Sequence, residues 1–144
     1  MNNTTGIWLV ELYDLDSAAD AKLANISTRG QVEAGDEALI GGLIVVGSTT
    51  QKVIVRALGP SLGDRGVNSP LLDPSLQLFD SSGQLIASNN DWLSNDNEQA
   101  IVDSGLAPTD PREPSLLPAL GPGRYTAVVT RIDGPTSNLA IVAV

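Results

Sequence analysis

The sequence predicts an all-β fold: an antiparallel, jelly-roll-like β-sandwich of about eight or nine short strands, with at most one or two short helical turns. Apolar residues alternate with polar ones in short runs, which is the period of a strand. Glycine (14) and proline (9) are frequent in the 144 residues and lie mostly between these runs, where they favour turns. Aromatic residues make up 3% of the chain and hydrophobic residues 42%, so we expect one domain with an aliphatic core.

Seven runs are the predicted strands, each bounded by Gly, Pro, Asn, Asp or Ser. In chain order they are residues 7–13, 39–46, 53–58, 76–79, 84–87, 125–131 and 139–144. Residues 80–83 lie between the fourth and fifth runs and have the composition of a hairpin turn. Gly41 and Gly42 interrupt the second run, which predicts a bulge or a close approach of another backbone.

Two segments are predicted helical turns. Residues 17–23 are rich in alanine, and residues 97–104 open with an Asn-Glu pair and end at Gly105.

The composition excludes most catalytic chemistry. The chain has no histidine and no cysteine, so it has no Ser–His–Asp triad, cysteine nucleophile, zinc finger or iron–sulfur cluster. Pairs of carboxylates remain, but a glycosidase would also use aromatic side chains to stack sugars, and only five aromatic residues are present. We therefore predict that the protein is not an enzyme.

Charge and hydropathy limit the partners. The net charge is −9, which repels a nucleic acid. No apolar run approaches the roughly 18 residues that span a bilayer, so no membrane span is predicted. Residues 1–5 lack the basic and apolar regions of a signal peptide.

An internal repeat links the two ends of the chain. Residues 4–12 resemble residues 136–144 at an offset of 132 positions: Ile7 matches Leu139, Leu9 matches Ile141 and Val10 matches Val142. This pattern indicates one unit of 132 residues followed by a 12-residue overlap, as in a tandem array cut slightly out of phase. The alternative is a chance likeness between two aliphatic strands.

Several motifs resemble a repeat found in very large surface or secreted proteins of environmental bacteria. They are LANISTRG at residues 23–30, LIGG at 39–42, RALGPSL at 56–62, LAPTDPRE at 106–113 and GRYTAVV at 123–129. In that family the unit typically ends in a segment like residues 3–16, which here stand at the start. The resemblance implies an extracellular or cell-surface location, and it implies no activity.

A second resemblance covers residues 73–144. Residues 76–87 and 121–129 are similar to the bacterial pre-peptidase C-terminal domain, a jelly-roll-like module appended to secreted enzymes. Some relatives bind calcium or matrix polymers, so the likeness supports the predicted fold more than any function.

The polar loop at residues 89–98 is the candidate ligand site. Asn89, Asp91, Asn95 and Asp96 supply the oxygen ligands that Ca²⁺ prefers, although their spacing is not that of an EF-hand. The alternative, which we favour, is a solvated loop whose side chains form local turns, with no cofactor.

Two further features have structural interpretations. Arg56 lies inside an apolar strand and is expected to pair with Asp36 or Glu113, locking a loop to the sandwich. Residues 59–63 only superficially resemble a phosphate-binding loop, because no Lys-Ser/Thr follows, and we predict a plain turn.

The main functional hypothesis is a non-enzymatic assembly module in which residues 1–16 contain a terminal strand exchanged with another copy. Strand addition of this kind is head-to-tail and yields filaments, so the predicted partner is the protein itself. The candidate assembly residues are Ile7, Trp8, Leu9, Val10, Leu12, Leu139, Ile141 and Val142.

Two alternatives remain. One is a monomeric, adhesin-like module that binds calcium, a glycan or matrix through loops 63–73 and 89–98 at one end of the sandwich. The other is an inert spacer in a stalk.

Overall fold

The computed structural model describes residues 22–29, 38–68, 70–132 and 140–143, and it confirms the predicted all-β, sandwich-like fold. These ranges contain ten strands, whereas eight or nine were predicted. Three of the ten are only two residues long, which accounts for the difference. The strands are β1 (Lys22–Arg29), β2 (Leu39–Val46), β3 (Gln51–Lys52), β4 (Val55–Leu58), β5 (Pro74–Asp80), β6 (Leu85–Asn89), β7 (Ser115–Leu116), β8 (Ala119–Leu120), β9 (Gly123–Arg131) and β10 (Ile141–Ala143). The helical segments are 3₁₀ turns at Pro60–Arg65 and Trp92–Ser94 and one helix, α1 (Glu98–Asp103).

The strands form antiparallel sheets. The large sheet has the order β1-β2-β9-β5-β6, and a smaller sheet has the order β10-β4-β7. β3 and β8 form a separate two-stranded pair. In the small sheet, β4 contacts β5 of the large sheet and β10 contacts β2, so the two sheets pack against each other.

Both sheets contribute to one aliphatic core. β2 buries alternate residues, with Leu39, Leu43 and Val45 facing inward, as the period of a strand requires. The same cluster takes in buried side chains from β4, β5, β9 and β10. Among the described residues, its fully buried members include no aromatic side chain, and Tyr125 packs partly buried against it, which agrees with the predicted aliphatic core.

The hairpin between β5 and β6 has the predicted turn. The N–H of Gly83 donates to the carbonyl of Asp80 at 3.0 Å, and Gly83 has a φ of 83°, which favours glycine. The Asp80 carboxylate accepts hydrogen bonds from the Ser82 hydroxyl and from the N–H groups of Ser82 and Gln84. These bonds lower the pKa of Asp80, so they contribute to stability above its ordinary pKa and are lost as the pH falls through the lowered one.

One predicted helix is confirmed and the other is corrected. The helix α1 starts after Asn97 and is followed by Gly105 with a φ of 72°, as the sequence indicated. Residues 17–21 lie outside the described ranges, but Leu23 belongs to β1 rather than to a helix. At residues 22–23, pairing of β1 with β2 overrides the local helix propensity.

The predicted bulge is also misplaced. The ladder between β2 and β9 has no register shift at Gly41 or Gly42, and the shift in this part of the sheet lies in β1, between Leu23 and Asn25. The first predicted strand, residues 7–13, falls outside the described residues. In the portions of the chain that are described, no helix is long and apolar enough to cross a membrane.

Replacement of Leu78 tests the shared core. Leu78 is fully buried in β5, so we expect Leu78→Ala to lower the free energy of unfolding by about 2–5 kcal/mol, measured by urea denaturation. Leu72 is 56% exposed and serves as the control, with an expected change for Leu72→Ala of about 0.5 kcal/mol or less. Equal losses in the two variants would contradict a core at β5.

Candidate functional site

The C-terminal copy of the repeated segment forms a strand of its own domain. β10 pairs with β4 in antiparallel register, with Ile141 opposite Leu58 and Val142 opposite Ala57. Ala140 and Val142 are 0% and 1% exposed, so this face of the strand packs into the core. Of the predicted assembly residues, Ile141 and Val142 lie in β10, whereas Ile7, Trp8, Leu9, Val10, Leu12 and Leu139 lie outside the described residues.

The strand β4 is paired on both of its edges. All four of its residues are buried. β10 occupies one edge, and β7 occupies the other by pairing Val55 with Leu116 and Arg56 with Ser115. A second strand with the pattern of β10 therefore has to displace β10 or pair elsewhere.

A buried carboxylate holds the chain that leaves β4. Glu113 is 0% exposed, and its Oε1 accepts hydrogen bonds from the Gly59 N–H at 2.9 Å, the Ser61 N–H at 3.0 Å and the Ser61 hydroxyl at 2.6 Å. The predicted plain turn at residues 59–63 is thus the start of the 3₁₀ segment, and its free N–H groups point to this carboxylate. Glu113 Oε2 is buried and has no hydrogen-bond partner among the described residues.

Glycine is required where this segment begins. A Cβ atom on Gly59 would clash with the carbonyl oxygen of Leu71. This oxygen belongs to the backbone, so it cannot move aside as the end of a flexible side chain can. The close approach brings the Gly59 N–H within reach of Glu113. The sequence did not predict the contact between Glu113 and this segment, because the only local sign of an unusual backbone was the sequence Gly-Pro-Ser at residues 59–61.

Arg56 is buried, and its side chain forms a hydrogen bond with a backbone carbonyl group. Its Nη1 donates to the Leu106 carbonyl at 2.8 Å, which ties β4 to the segment after α1. The hydrogen bonds that Glu113 accepts come from Gly59 and Ser61, and Asp36 lies outside the described residues.

The side chains of the polar loop hold the loop against β7. Asn89 accepts a hydrogen bond from the Ser115 N–H and donates to the Asp91 carbonyl. Asn95 donates to the Ser115 carbonyl at 2.7 Å and accepts from the N–H of Asn97. Both amide groups therefore make one local hydrogen bond within the loop and one long-range hydrogen bond to the backbone of Ser115.

The same loop forms one wall of a groove of about 270 Å³. Three of the four candidate calcium residues, Asn89, Asn95 and Asp96, line it, whereas Asp91 does not and its Oδ2 accepts from Asn90. The other lining residues are Ala87, Ser88, Ser94, Asn97, Leu116, Leu117 and Pro118. In the residues that can be described, no group of three or more His, Cys, Asp or Glu could hold a metal ion.

The two loops that were predicted to share one end of the sandwich do so. Loop 63–73 leads into β5 and loop 89–98 leaves β6, and Leu76 of β5 is paired with Asn89 of β6. Comparisons with family models, with curated proteins and with solved structures give no match to this chain.

Removal of the Glu113 carboxylate tests the contact that it makes with residues 59–61. We expect Glu113→Ala to cost about 3 kcal/mol or more, because two buried N–H groups lose their acceptor. Glu113→Gln keeps one acceptor oxygen and should cost less. Glu98 is exposed, and Glu98→Ala is the control in the same urea denaturation experiment; equal effects of Glu98→Ala and Glu113→Ala would contradict this role.

Proposed function

We propose that the chain is a non-enzymatic structural module of an extracellular or cell-surface protein, and that residues 4–12 join it to a neighbouring copy by β-strand addition. The observation that carries this proposal is β10. The segment that matches residues 4–12 in the repeat is a strand paired with β4 and packed on the core.

Residues 4–12 are a second candidate strand of the β10 type, and both edges of β4 are already paired. The repeat equates Leu9 with Ile141 and Val10 with Val142, so residues 4–12 have the apolar pattern of a strand that pairs in this fold. Because β10 and β7 occupy both edges of β4, the additional strand needs another edge. An apolar strand that stays unpaired is an aggregation hazard, and pairing with another copy removes it.

Head-to-tail addition does not close on itself, so it leads to chains of units. Each unit carries a net charge of −9, and this charge opposes association at low ionic strength. We therefore expect association to strengthen as salt screens the repulsion.

Removal of the donor segment tests the proposal. Deletion of residues 2–12, or Trp8→Lys, is expected to convert salt-promoted oligomers or filaments into monomers, of about 15.0 kDa for Trp8→Lys and correspondingly lighter for the deletion variant. Light scattering and negative-stain electron microscopy on the same samples measure the result. Leu72→Lys, at an exposed apolar residue of the loop before β5, is the control and should leave the distribution of masses unchanged. Oligomers of unchanged size in the deletion variant would overturn the proposal.

A second candidate function is a monomeric binding module, and the groove beside loop 89–98 favours it. Polar Ser88, Asp96 and Asn97 line this groove together with apolar Leu116 and Pro118. A lining that combines polar and apolar residues suits a glycan, and carboxylate and amide oxygens suit calcium.

Titration calorimetry distinguishes this second function. It requires binding of calcium or of a glycan by the monomer, with a loss of at least about tenfold in affinity in Asp96→Ala. Asp64→Ala, at an exposed carboxylate outside the groove, is the matched control. No heat of binding from a panel of glycans and calcium would remove this candidate.

A further inference from the structure

We propose that the groove beside loop 89–98 receives the side chain of Trp8 from a neighbouring copy, and that this contact anchors residues 4–12 in the assembly. The inference rests on the proposed assembly function and deepens it by naming the acceptor surface. It assigns the groove to self-association, whereas the second candidate function assigns the same groove to calcium or a glycan.

The groove is lined by strands of both sheets. Residues 87–89 of β6, the last strand of the large sheet, form one part of the lining. Leu116 of β7, at the edge of the small sheet, forms another part together with Leu117 and Pro118. Every lining residue belongs to the described part of the chain, and the volume of the groove is about 270 Å³. The surface proposed as the acceptor is therefore a cavity that the described residues themselves define.

The lining residues supply only part of what calcium or a glycan needs. None of them is aromatic, so no ring is available to stack on a sugar. Asp96 is the one carboxylate among them, while calcium takes about six to eight oxygen ligands. The amide groups of Asn89 and Asn95 are already bonded to backbone groups. The lining therefore favours an occupant that brings an aromatic ring of its own.

A tryptophan side chain matches this lining in polarity. The indole ring is a large apolar surface with a single N–H group, which only donates hydrogen bonds. Leu117 and Pro118 are half-buried and offer apolar contact to such a ring, and the exposed carboxylate of Asp96 offers an acceptor. Tryptophans that fill a pocket are also among the residues that contribute most to the binding energy of protein interfaces.

The repeat indicates that Trp8 needs a site outside the β10 position. At the offset of 132, Trp8 corresponds to Ala140, which is 0% exposed and packs in the core. Replacement of β10 by residues 4–12 would put a tryptophan in the space of this buried alanine, and well-packed cores do not accept such an increase without displacement of their neighbours. Residues 4–10 are uncharged, so Asp96 does not repel them. The groove supplies a site for this ring without disturbing the core.

Disulfide crosslinking between two variants tests the location. The chain has no cysteine, so a mixture of Leu9→Cys and Ser88→Cys reports the contact between these two positions, and a bond forms only where their Cα atoms come within about 7 Å. Ser81→Cys, in the exposed turn between β5 and β6, replaces Ser88→Cys in the control mixture.

We expect oxidation in the presence of salt to give at least about tenfold more linked product with Ser88→Cys than with Ser81→Cys, identified by mass spectrometry of the linked peptides. Ile7→Cys in place of Leu9→Cys covers the other side of Trp8. Equal linkage to the two serine positions, or linkage mainly to Ser81→Cys, would overturn the inference.

A bulky residue in the groove tests its role in association. Ser88→Tyr is expected to weaken association at least about tenfold, measured by light scattering, because the added ring occupies the space proposed for Trp8. Ser81→Tyr adds the same ring at an exposed turn and should change association by less than about twofold. Urea denaturation of both variants checks that each retains the fold.

The outcomes also separate this inference from the proposed function. If deletion of residues 2–12 abolishes association while Ser88→Tyr leaves it intact, the donor role stands and the acceptor assigned here is wrong. If Ser88→Tyr abolishes binding of calcium or a glycan but leaves association intact, the groove belongs to the second candidate function and the inference is overturned. If the unmodified chain is a monomer at every protein and salt concentration, the proposed function itself fails and this inference fails with it.

Discussion

The arrangement of the small sheet depends on one constraint: β4 is buried along its whole length and has both of its edges occupied. β10 covers one edge and β7 covers the other, although the three strands come from distant parts of the chain. A central strand with four buried residues and neighbours on both sides contributes apolar surface to the core and offers little of its backbone to an additional strand. A second segment with the pattern of β10 therefore has to pair at a different strand edge, whatever its affinity for the core.

Glu113 fixes the continuation of β4. A carboxylate with no exposed surface is costly to bury unless hydrogen bonds replace its water, and the N–H groups of Gly59 and Ser61 together with the Ser61 hydroxyl do so at one oxygen. The contact spans more than fifty residues of sequence, so it attaches the segment before β7 to the segment after β4. The hydrogen bond from Arg56 to the Leu106 carbonyl adds a second tie between the same regions.

In the polar loop, side chains that resemble a set of calcium ligands form hydrogen bonds that stabilise the fold. Asn89 and Asn95 were candidate calcium residues, but their amide groups satisfy the backbone of Ser115 and the turns of the loop itself. What this loop presents to solvent is a groove with Ser88, Asp96 and Asn97 on its wall, held in shape by the same hydrogen bonds. This groove is the surface on which the second candidate function, ligand binding by a monomer, depends.

The sequence by itself determined those elements whose signal is local. Alternation and turn residues predicted β2, the β5–β6 hairpin and β9, and capping residues predicted α1, because a strand period, a turn or a helix end is encoded by neighbours along the chain. The repeat likewise identified Ile141 and Val142 as strand residues. Neither β1, whose first residues were predicted to end a helical turn, nor the two-residue strands were predicted. The tertiary structure alone decided the partner of Glu113 and the role of Asn89 and Asn95, because each depends on residues far apart in sequence that only the fold brings within hydrogen-bond distance.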